Sequence, residues 1–179
     1  MTAAFEGHSV LQVPVPPLEP FVLGRTRHYD TDYLSTDPAF VHAHVTALAP
    51  FLSGAELTDA ALDVVGEIAS ATASFDFDLE RVHTFPDGIV HLAPAPATPF
   101  SELTSRLWRA FPQCPPYAGR VVTPVPHLTL DALSQEVTEE STRRLAAPWL
   151  PARCRAERLD LAWYEPGGCR VLRSWALGG

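Results

Sequence analysis

Hydrophobic and polar residues alternate in several short segments of the chain, and each of these segments predicts a β-strand. A period of two places every second side chain on the same face of a strand. The predicted strands span residues 9–15, 41–48, 74–82, 89–94 and 125–130, and residues 158–177 form a strand pair. The stretch "FPDG" at 85–88 is typical of a turn, so it joins the third and fourth strands into a hairpin.

Four helices are predicted between these strands, and the second shows apolar residues three or four positions apart. The helices span residues 18–28, 54–72, 98–111 and 134–149. The third is predicted to begin at Thr98 as the N-cap, with Glu102 nearby in the manner of a capping box. The fourth has acidic residues in its first turns and arginines later, as the helix dipole favours.

The stretches "HAHVTALAPF" (42–51) and "PHLTL" (126–130) contain the same polar pair, each time in a predicted strand. His44 and Thr46 point to one face of their strand, as do His127 and Thr129, because residues two apart share a face. Each half of the chain carries a helix, a His-x-Thr strand, another helix and a hairpin. This repeated order predicts one α+β domain over 1–179, built of two interleaved lobes whose polar pairs meet in a central cleft.

Two histidines and two threonines facing one cleft suit phosphoester chemistry. Imidazole titrates at about pH 6.5, so one ring acts as a neutral general base while the other, protonated, acts as the acid. Threonine hydroxyls bind the non-bridging phosphate oxygens, where charge gathers in the transition state. This chemistry needs no metal and no cofactor. The pattern leaves open which histidine is the base.

Composition and charge exclude several other classes. The net charge of −8 argues against a grip on long duplex nucleic acid. All 13 basic residues are arginines, so no lysine nucleophile or P-loop lysine exists. The three cysteines form no C-x-x-C pair, which disfavours a zinc site or a disulfide framework. No run of 18 apolar residues and no signal peptide are recognised, so we expect a cytoplasmic protein without a membrane span.

Five further residues are weaker candidates for contact with the substrate. Tyr117, Tyr29 and Arg27 are suited to stack on a base or bind a phosphate, or else they pack loops. His91, in the fourth strand, either lines the cleft or is structural. His42 is expected at the cleft rim, because no third ligand stands nearby to complete a metal site.

The paired motifs give the chain a family resemblance. It resembles the 2H phosphoesterase superfamily, whose signature is two His-x-Thr or His-x-Ser motifs on strands of a two-lobed fold. Within it, "HVTALAPF" and "PYAGRVVTPVPHLTL" look like the two motif regions of the bacterial 2'-5' RNA ligase family. The segment "RHYD" (27–30) and the hairpin "FPDGIVHLAPAP" are also similar. Ala47 departs from the pattern, since a larger apolar residue is common there.

The resemblance implies an α+β fold with pseudo-twofold antiparallel sheets, flanking helices and a central cleft. It implies that His44 and His127 are the acid and base, and that Thr46 and Thr129 hold the phosphate. The expected reaction is metal-independent hydrolysis of a 2',3'-cyclic phosphate on an RNA end or a small nucleotide. The alternatives are a phosphodiesterase for 2'-5' oligonucleotides or cyclic nucleotides, an RNA 2'-5' ligase, and a non-catalytic nucleotide-binding protein. Nothing in the sequence signals an oligomer, so a monomer is the default expectation.

Overall fold

A computed structural model describes residues 7–178 of the chain. Its strands are β1 His8–Pro14, β2 His44–Leu48, β3 Phe75–Thr84, β4 Ile89–Ala95, β5 Leu128–Ala132, β6 Ala152–Ala156, β7 Arg158–Tyr164 and β8 Arg170–Ala176. Its α-helices are α1 Glu19–Tyr29, α2 Asp59–Ser70, α3 Thr98–Ala110 and α4 Glu139–Ala146. The prediction that no signal peptide is present concerns a segment that begins outside the described residues.

The strands form one antiparallel sheet in the order β6-β3-β4-β5-β2-β1-β7-β8. The two strands that carry the His-x-Thr motifs, β2 and β5, are neighbours at its centre, where Val45 pairs with Leu128. Outward from this junction, each side contains four strands, which gives the sheet a pseudo-twofold arrangement of two lobes. The predicted α+β fold with two similar antiparallel lobes is therefore confirmed.

The lobes are interleaved along the chain. Strand β1 pairs with β2 on one side and with β7 of the C-terminal hairpin β7–β8 on the other, while β3 to β6 build the other lobe. The helices cross in the same way: α1 precedes β2 but packs against β5, and α3 precedes β5 but packs against β2. One apolar cluster runs through both lobes, with fully buried residues such as Leu11, Leu92 and Leu161. Each motif strand thus depends on chain segments from far away in the sequence.

Both motif strands begin later than the sequence predicts. The first starts at His44 rather than at 41, and the second starts at Leu128, so His127 lies just before its strand. Pro124 and Pro126 lack the amide hydrogen that a sheet ladder requires, which delays the second strand. Before the first, the Ala43 amide is bonded to the side chain of Glu19 instead of to a neighbouring strand.

Helix starts also differ from the prediction. The second helix begins at Asp59 rather than at 54, since Thr58 caps it there and Gly54–Glu56 form a separate 3-10 turn. Thr98 is the first helical residue, and no side chain caps this helix, because Pro99 in the first turn is already set for helical geometry. The fourth helix begins at Glu139 rather than at 134, since Thr138 and Ser141 form a capping box there. Its predicted end, at 149, is a short 3-10 turn.

The strand β6 was not predicted. Its sequence "ARCRA" alternates between buried small residues and exposed Arg153 and Arg155, a weak hydrophobic signal.

All three cysteines are free and buried. Within residues 7–178, no helix has the length and apolar character needed to cross a membrane.

Candidate active site

The two motif histidines are held by the same kind of hydrogen bond. Nδ1 of His44 lies 2.8 Å from the carbonyl oxygen of His42, and Nδ1 of His127 lies 2.7 Å from that of Val125. A carbonyl can only accept, so Nδ1 donates its proton in both cases. Nε2 of each ring is then left to exchange a proton with a ligand. Both rings are partly buried.

Strand geometry separates the core side of each motif from its cleft side. Val45 and Leu128, between the histidine and the threonine of each motif, are fully buried. Thr46 is half-buried and Thr129 is exposed. The sequence therefore places the polar pair of each motif away from the core, as the two-residue period requires.

Residues of both motifs line one cavity of about 450 Å³ beside the junction of the lobes. His44 from the first motif and Thr129 from the second belong to its wall. Thr46 lines a separate small recess together with Tyr117 and the segment 124–126 that precedes His127. His127 is close enough for its charge to act on His44. The structure thus brings the two motifs together at the centre of the sheet.

One face of α1 forms another wall of the cavity. Its residues Val22, Arg25, Thr26 and Tyr29 recur at helical spacing and all line the cavity. The guanidinium of Arg25 pairs with the carboxylate of Asp131 and lies 4.4 Å from the centre of the Tyr29 ring. Three aromatic side chains also line the cavity: Tyr33, Phe40 and Tyr164.

Burial sets the protonation state of His44. Loss of solvent lowers the pKa of His44 below its usual 6.5, and the nearby charge of His127 acts in the same direction. The bond to the His42 carbonyl and the charge of Glu19 oppose this shift without overcoming it. A neutral His44 with a free Nε2 is suited to accept a proton near neutral pH.

Aromatic rings surround His127. Its ring centre lies 4.9 Å from that of Phe85, 5.5 Å from that of His91 and 6.3 Å from that of Tyr117. His91 is only 4% exposed, stacks on Phe85, and faces Thr129 across the β4–β5 pair. Burial lowers the pKa of His91. His91 therefore lies beside His127 and Thr129 of the second motif.

Tyr117 is fixed in an unusual backbone conformation. Its φ is 52°, and Ala118 and Gly119 follow with φ of 55° and 76°. The Tyr117 amide donates to the carbonyl of Ala49 at 2.7 Å, which ties this loop to the end of β2. Left-handed conformations are costly for residues other than glycine and are concentrated at functional sites. The loop holds the Tyr117 ring against His127, and burial raises the pKa of Tyr117.

The remaining sequence candidates have different surroundings. Tyr29 lines the cavity and is 47% exposed, whereas Arg27 is exposed and outside its wall, where α1 presents Arg25 instead. His42 lines the cavity, and both of its ring nitrogens are bonded within the protein: Nδ1 donates to Glu19 at 2.7 Å, and Nε2 accepts the amide hydrogen of Ser35 at 3.2 Å. Within the described part of the chain, no group of three or more His, Cys, Asp or Glu side chains could hold a metal ion.

Four residues of this region were missed by the sequence reasoning: Glu19, Arg25, Phe85 and Tyr164. Arg25 had a signal, because it lies four residues before Tyr29 on the same helix face. Tyr164 had no such signal, because β7 is placed next to β1 only by the long-range pairing of the interleaved lobes. There its hydroxyl donates to Gln12 Oε1 at 2.7 Å, and its ring lies 6.2 Å from that of His44.

Comparisons with known proteins agree on one family. The family model for the 2'-5' RNA ligase superfamily matches residues 14–168. No curated protein sequence matches the chain significantly.

Solved structures share the fold at low sequence identity. E. coli LigT complexed with 3'-AMP has a TM-score of 0.60 at 17% identity, over 96% of this chain and 98% of LigT. TT0787 of Thermus thermophilus has a TM-score of 0.62 at 17% identity, with the same coverage of 96% and 98%. E. coli LigT complexed with NADP+ has a TM-score of 0.56 at 15% identity, over 97% and 99% of the two chains.

Proposed function

Because the chain belongs to the 2'-5' RNA ligase superfamily, we propose that it hydrolyses a 2',3'-cyclic phosphate on an RNA end or a small nucleotide. The observation that carries this proposal is the matched pair of histidines. Each is anchored through Nδ1 to a carbonyl, and each has Nε2 left for proton transfer. A base and an acid on the two lobes can act on opposite sides of one phosphate.

In the proposed reaction, water adds across one P–O bond of the cyclic phosphate. One histidine takes a proton from the water through Nε2 as the water oxygen bonds to phosphorus. The other gives the Nε2 proton to the departing ribose oxygen as the P–O bond breaks. The product is a 2'-phosphate when O3' leaves and a 3'-phosphate when O2' leaves, and family precedent favours the 2'-phosphate. After the reaction the base is protonated and the acid is neutral, so proton exchange with solvent restores both rings before the next cycle.

Thr46 and Thr129 are proposed to hold the non-bridging phosphate oxygens. A hydroxyl donates a hydrogen bond that strengthens as negative charge develops on the phosphate. The positions of Thr46 in the recess beside Tyr117 and of Thr129 in the cavity wall support this role. No metal ion enters the proposed mechanism, because the two rings and two hydroxyls supply proton transfer and charge stabilisation.

The cavity beside His44 is proposed to take the nucleoside. Its volume of about 450 Å³ is in the range of small-molecule sites. Its aromatic side chains offer faces on which a base can stack. That structures of E. coli LigT with 3'-AMP, ATP and NADP+ exist supports a small nucleotide as the ligand.

Hydrolysis is preferred here over RNA ligation. Water at roughly 55 M competes with a second RNA end unless both ends are held together. A chain with a net charge of −8 has little excess positive charge with which to hold two RNA strands.

The test is an assay in EDTA with four substrates. They are 2',3'-cyclic nucleotides, a short RNA ending in a cyclic phosphate, a 2'-5' dinucleotide and a 3',5'-cyclic nucleotide. We expect turnover of the first two, with one product isomer, and no effect of the chelator. His28→Ala, which changes an exposed histidine outside the cavity wall, serves as the control for His44→Ala.

Each other outcome contradicts the proposal in its own way. Turnover of only the 2'-5' or 3',5' substrates would assign the site to those linkages. Binding of nucleotides without any product would indicate a binding protein. Loss of activity in EDTA would require a metal that the proposed mechanism does not contain.

A further inference from the structure

Glu19, in the first turn of α1, holds the peptide unit that in turn holds His44. Its Oε2 accepts the Ala43 amide hydrogen at 2.8 Å. That amide and the carbonyl of His42 belong to one planar peptide unit. The same carbonyl accepts the Nδ1 proton of His44 at 2.8 Å. Carboxylate, peptide and imidazole therefore form one continuous chain of hydrogen bonds.

Hydrogen bonds in such a chain strengthen one another. A carboxylate at the N–H end of a peptide polarises the unit and makes its carbonyl a stronger acceptor. A stronger acceptor at Nδ1 fixes the orientation and tautomer of His44. It also stabilises the imidazolium that forms when Nε2 takes a proton, as a carboxylate does by direct contact in a Ser-His-Asp triad.

Glu19 is in the charge state that this role requires. Burial alone would raise its pKa, but the hydrogen bonds from His42 and from the Ala43 amide outweigh burial and lower it. The second carboxylate oxygen, Oε1, accepts from Nδ1 of His42 at 2.7 Å, which fixes the carboxylate against the peptide.

The second motif lacks this arrangement, and the reason is visible in the sequence. Nδ1 of His127 donates to the carbonyl of Val125, which shares its peptide unit with the nitrogen of Pro126. Proline has no amide hydrogen, so no carboxylate can bind this peptide in the same way. The segment is also open to solvent, with Val125 50% exposed and Val122 95% exposed. The difference between "HAH" and "VPH" therefore breaks the pseudo-twofold symmetry of the site.

We propose that Glu19 is a positioning residue that acts through the His42–Ala43 peptide and makes His44 the general base of the pair. His127 then supplies the proton to the departing oxygen. These roles rest on the proposed two-histidine hydrolysis, whereas the hydrogen-bond chain itself is a property of the protein without substrate.

The groups that face His44 come from several elements. Glu19 on α1 raises its pKa, whereas His127 before β5 and His42 before β2 lower it. Tyr164 on β7 contacts its ring, and the Arg25–Asp131 pair lines the same cavity. Removal of the Glu19 charge leaves burial and the charges of the two histidines, which lower the pKa of His44, opposed only by the bond to the His42 carbonyl.

The test is Glu19→Gln in the full chain, followed by ¹⁵N and ¹H NMR of the histidine side chains. Glutamine keeps the size of the side chain but removes the charge, and only its oxygen can accept a hydrogen bond. We expect a lower pKa for His44 and a mixture of its two neutral tautomers, whereas His127 should keep the tautomer that its bond to the Val125 carbonyl fixes. The acidic limb of kcat/KM should move to lower pH, and kcat should fall roughly tenfold. Glu102→Gln, which neutralises an exposed carboxylate on α3, is the charge-matched control.

The wild-type protein offers a second measurement in case the variant does not fold. The Ala43 amide proton and Nδ1 of His44 should both shift at the pH at which Glu19 becomes protonated. The proposal is overturned if Glu19→Gln leaves the pKa and tautomer of His44 unchanged, or if the two resonances do not follow Glu19. Failure of cyclic phosphate hydrolysis would leave these NMR signals intact, so the two failures can be told apart.

Discussion

Val45 and Leu128, which separate the histidine from the threonine in the two motifs, pair with each other across the junction of the lobes. Both are fully buried in the core that the lobes share. The pair therefore sets the relative position of the two motifs from the core side of the sheet. The geometry of the two motifs and the packing of the core are therefore coupled at this point of the sheet.

Replacing Leu128 with Ala should test this coupling. The substitution leaves a cavity under the junction and should lower the free energy of unfolding by about 2–5 kcal/mol. It should also lower kcat, because His127 and Thr129 flank the altered residue. Denaturant titration and rate measurements on the folded variant check both effects. Leu133→Ala, at a position 47% exposed, is the control and should change neither by much.

Removing the hydroxyl of Thr129 should slow the chemical step. Thr129→Val keeps the shape of the side chain but removes the donor to the phosphate, so kcat should fall by about 10²-fold. Thr129→Ser retains the donor and should keep most of the activity. Full activity in Thr129→Val would show that the hydroxyl is not what the site requires.

The pH dependence of kcat/KM should reflect the burial of His44. A general base works only when unprotonated, so activity rises as the pH passes upward through its pKa. Burial lowers the pKa of His44 from 6.5, so the midpoint of the acidic limb should lie below pH 6.5. A midpoint above that value would show that another group supplies the base.

The Arg25–Asp131 pair should be important for stability and for the ligand. Its side chains are 19% and 11% exposed, so Asp131→Asn leaves a largely buried guanidinium without its partner. The expected loss of stability is about 3 kcal/mol. The unpaired Arg25 should also lower the Kd of anionic nucleotides, measured by calorimetry. Glu165→Gln, in an exposed pair with Arg170, should alter neither quantity appreciably.

The sequence predicted the motif strands because the alternation around His44 and Thr46 is a local signal. It predicted their convergence because the order of elements is repeated along the chain. It did not predict which strands pair within the interleaved lobes, since the pairing of β1 with β7 is a long-range contact with no local pattern. Tyr164 was missed for the same reason.

Hydrogen bonds between side chains and the backbone are also not predicted by the pattern of hydrophobic and polar residues. Glu19 looked like an ordinary acidic residue at the start of a helix, and His42 looked like a rim residue on a strand. Their contact appears only after α1 packs beside the segment before β2. In contrast, the proline before His127 is a local feature, and it could have predicted the late start of β5.

The most direct test of the central claim compares His44→Ala, His127→Ala and the double variant on a 2',3'-cyclic nucleotide. If the two rings act together on one phosphate, each single variant should lose nearly as much activity as the double variant. Circular dichroism and thermal unfolding would verify that all three remain folded. Full activity in either single variant, or losses that simply multiply in the double variant, would contradict the two-histidine account.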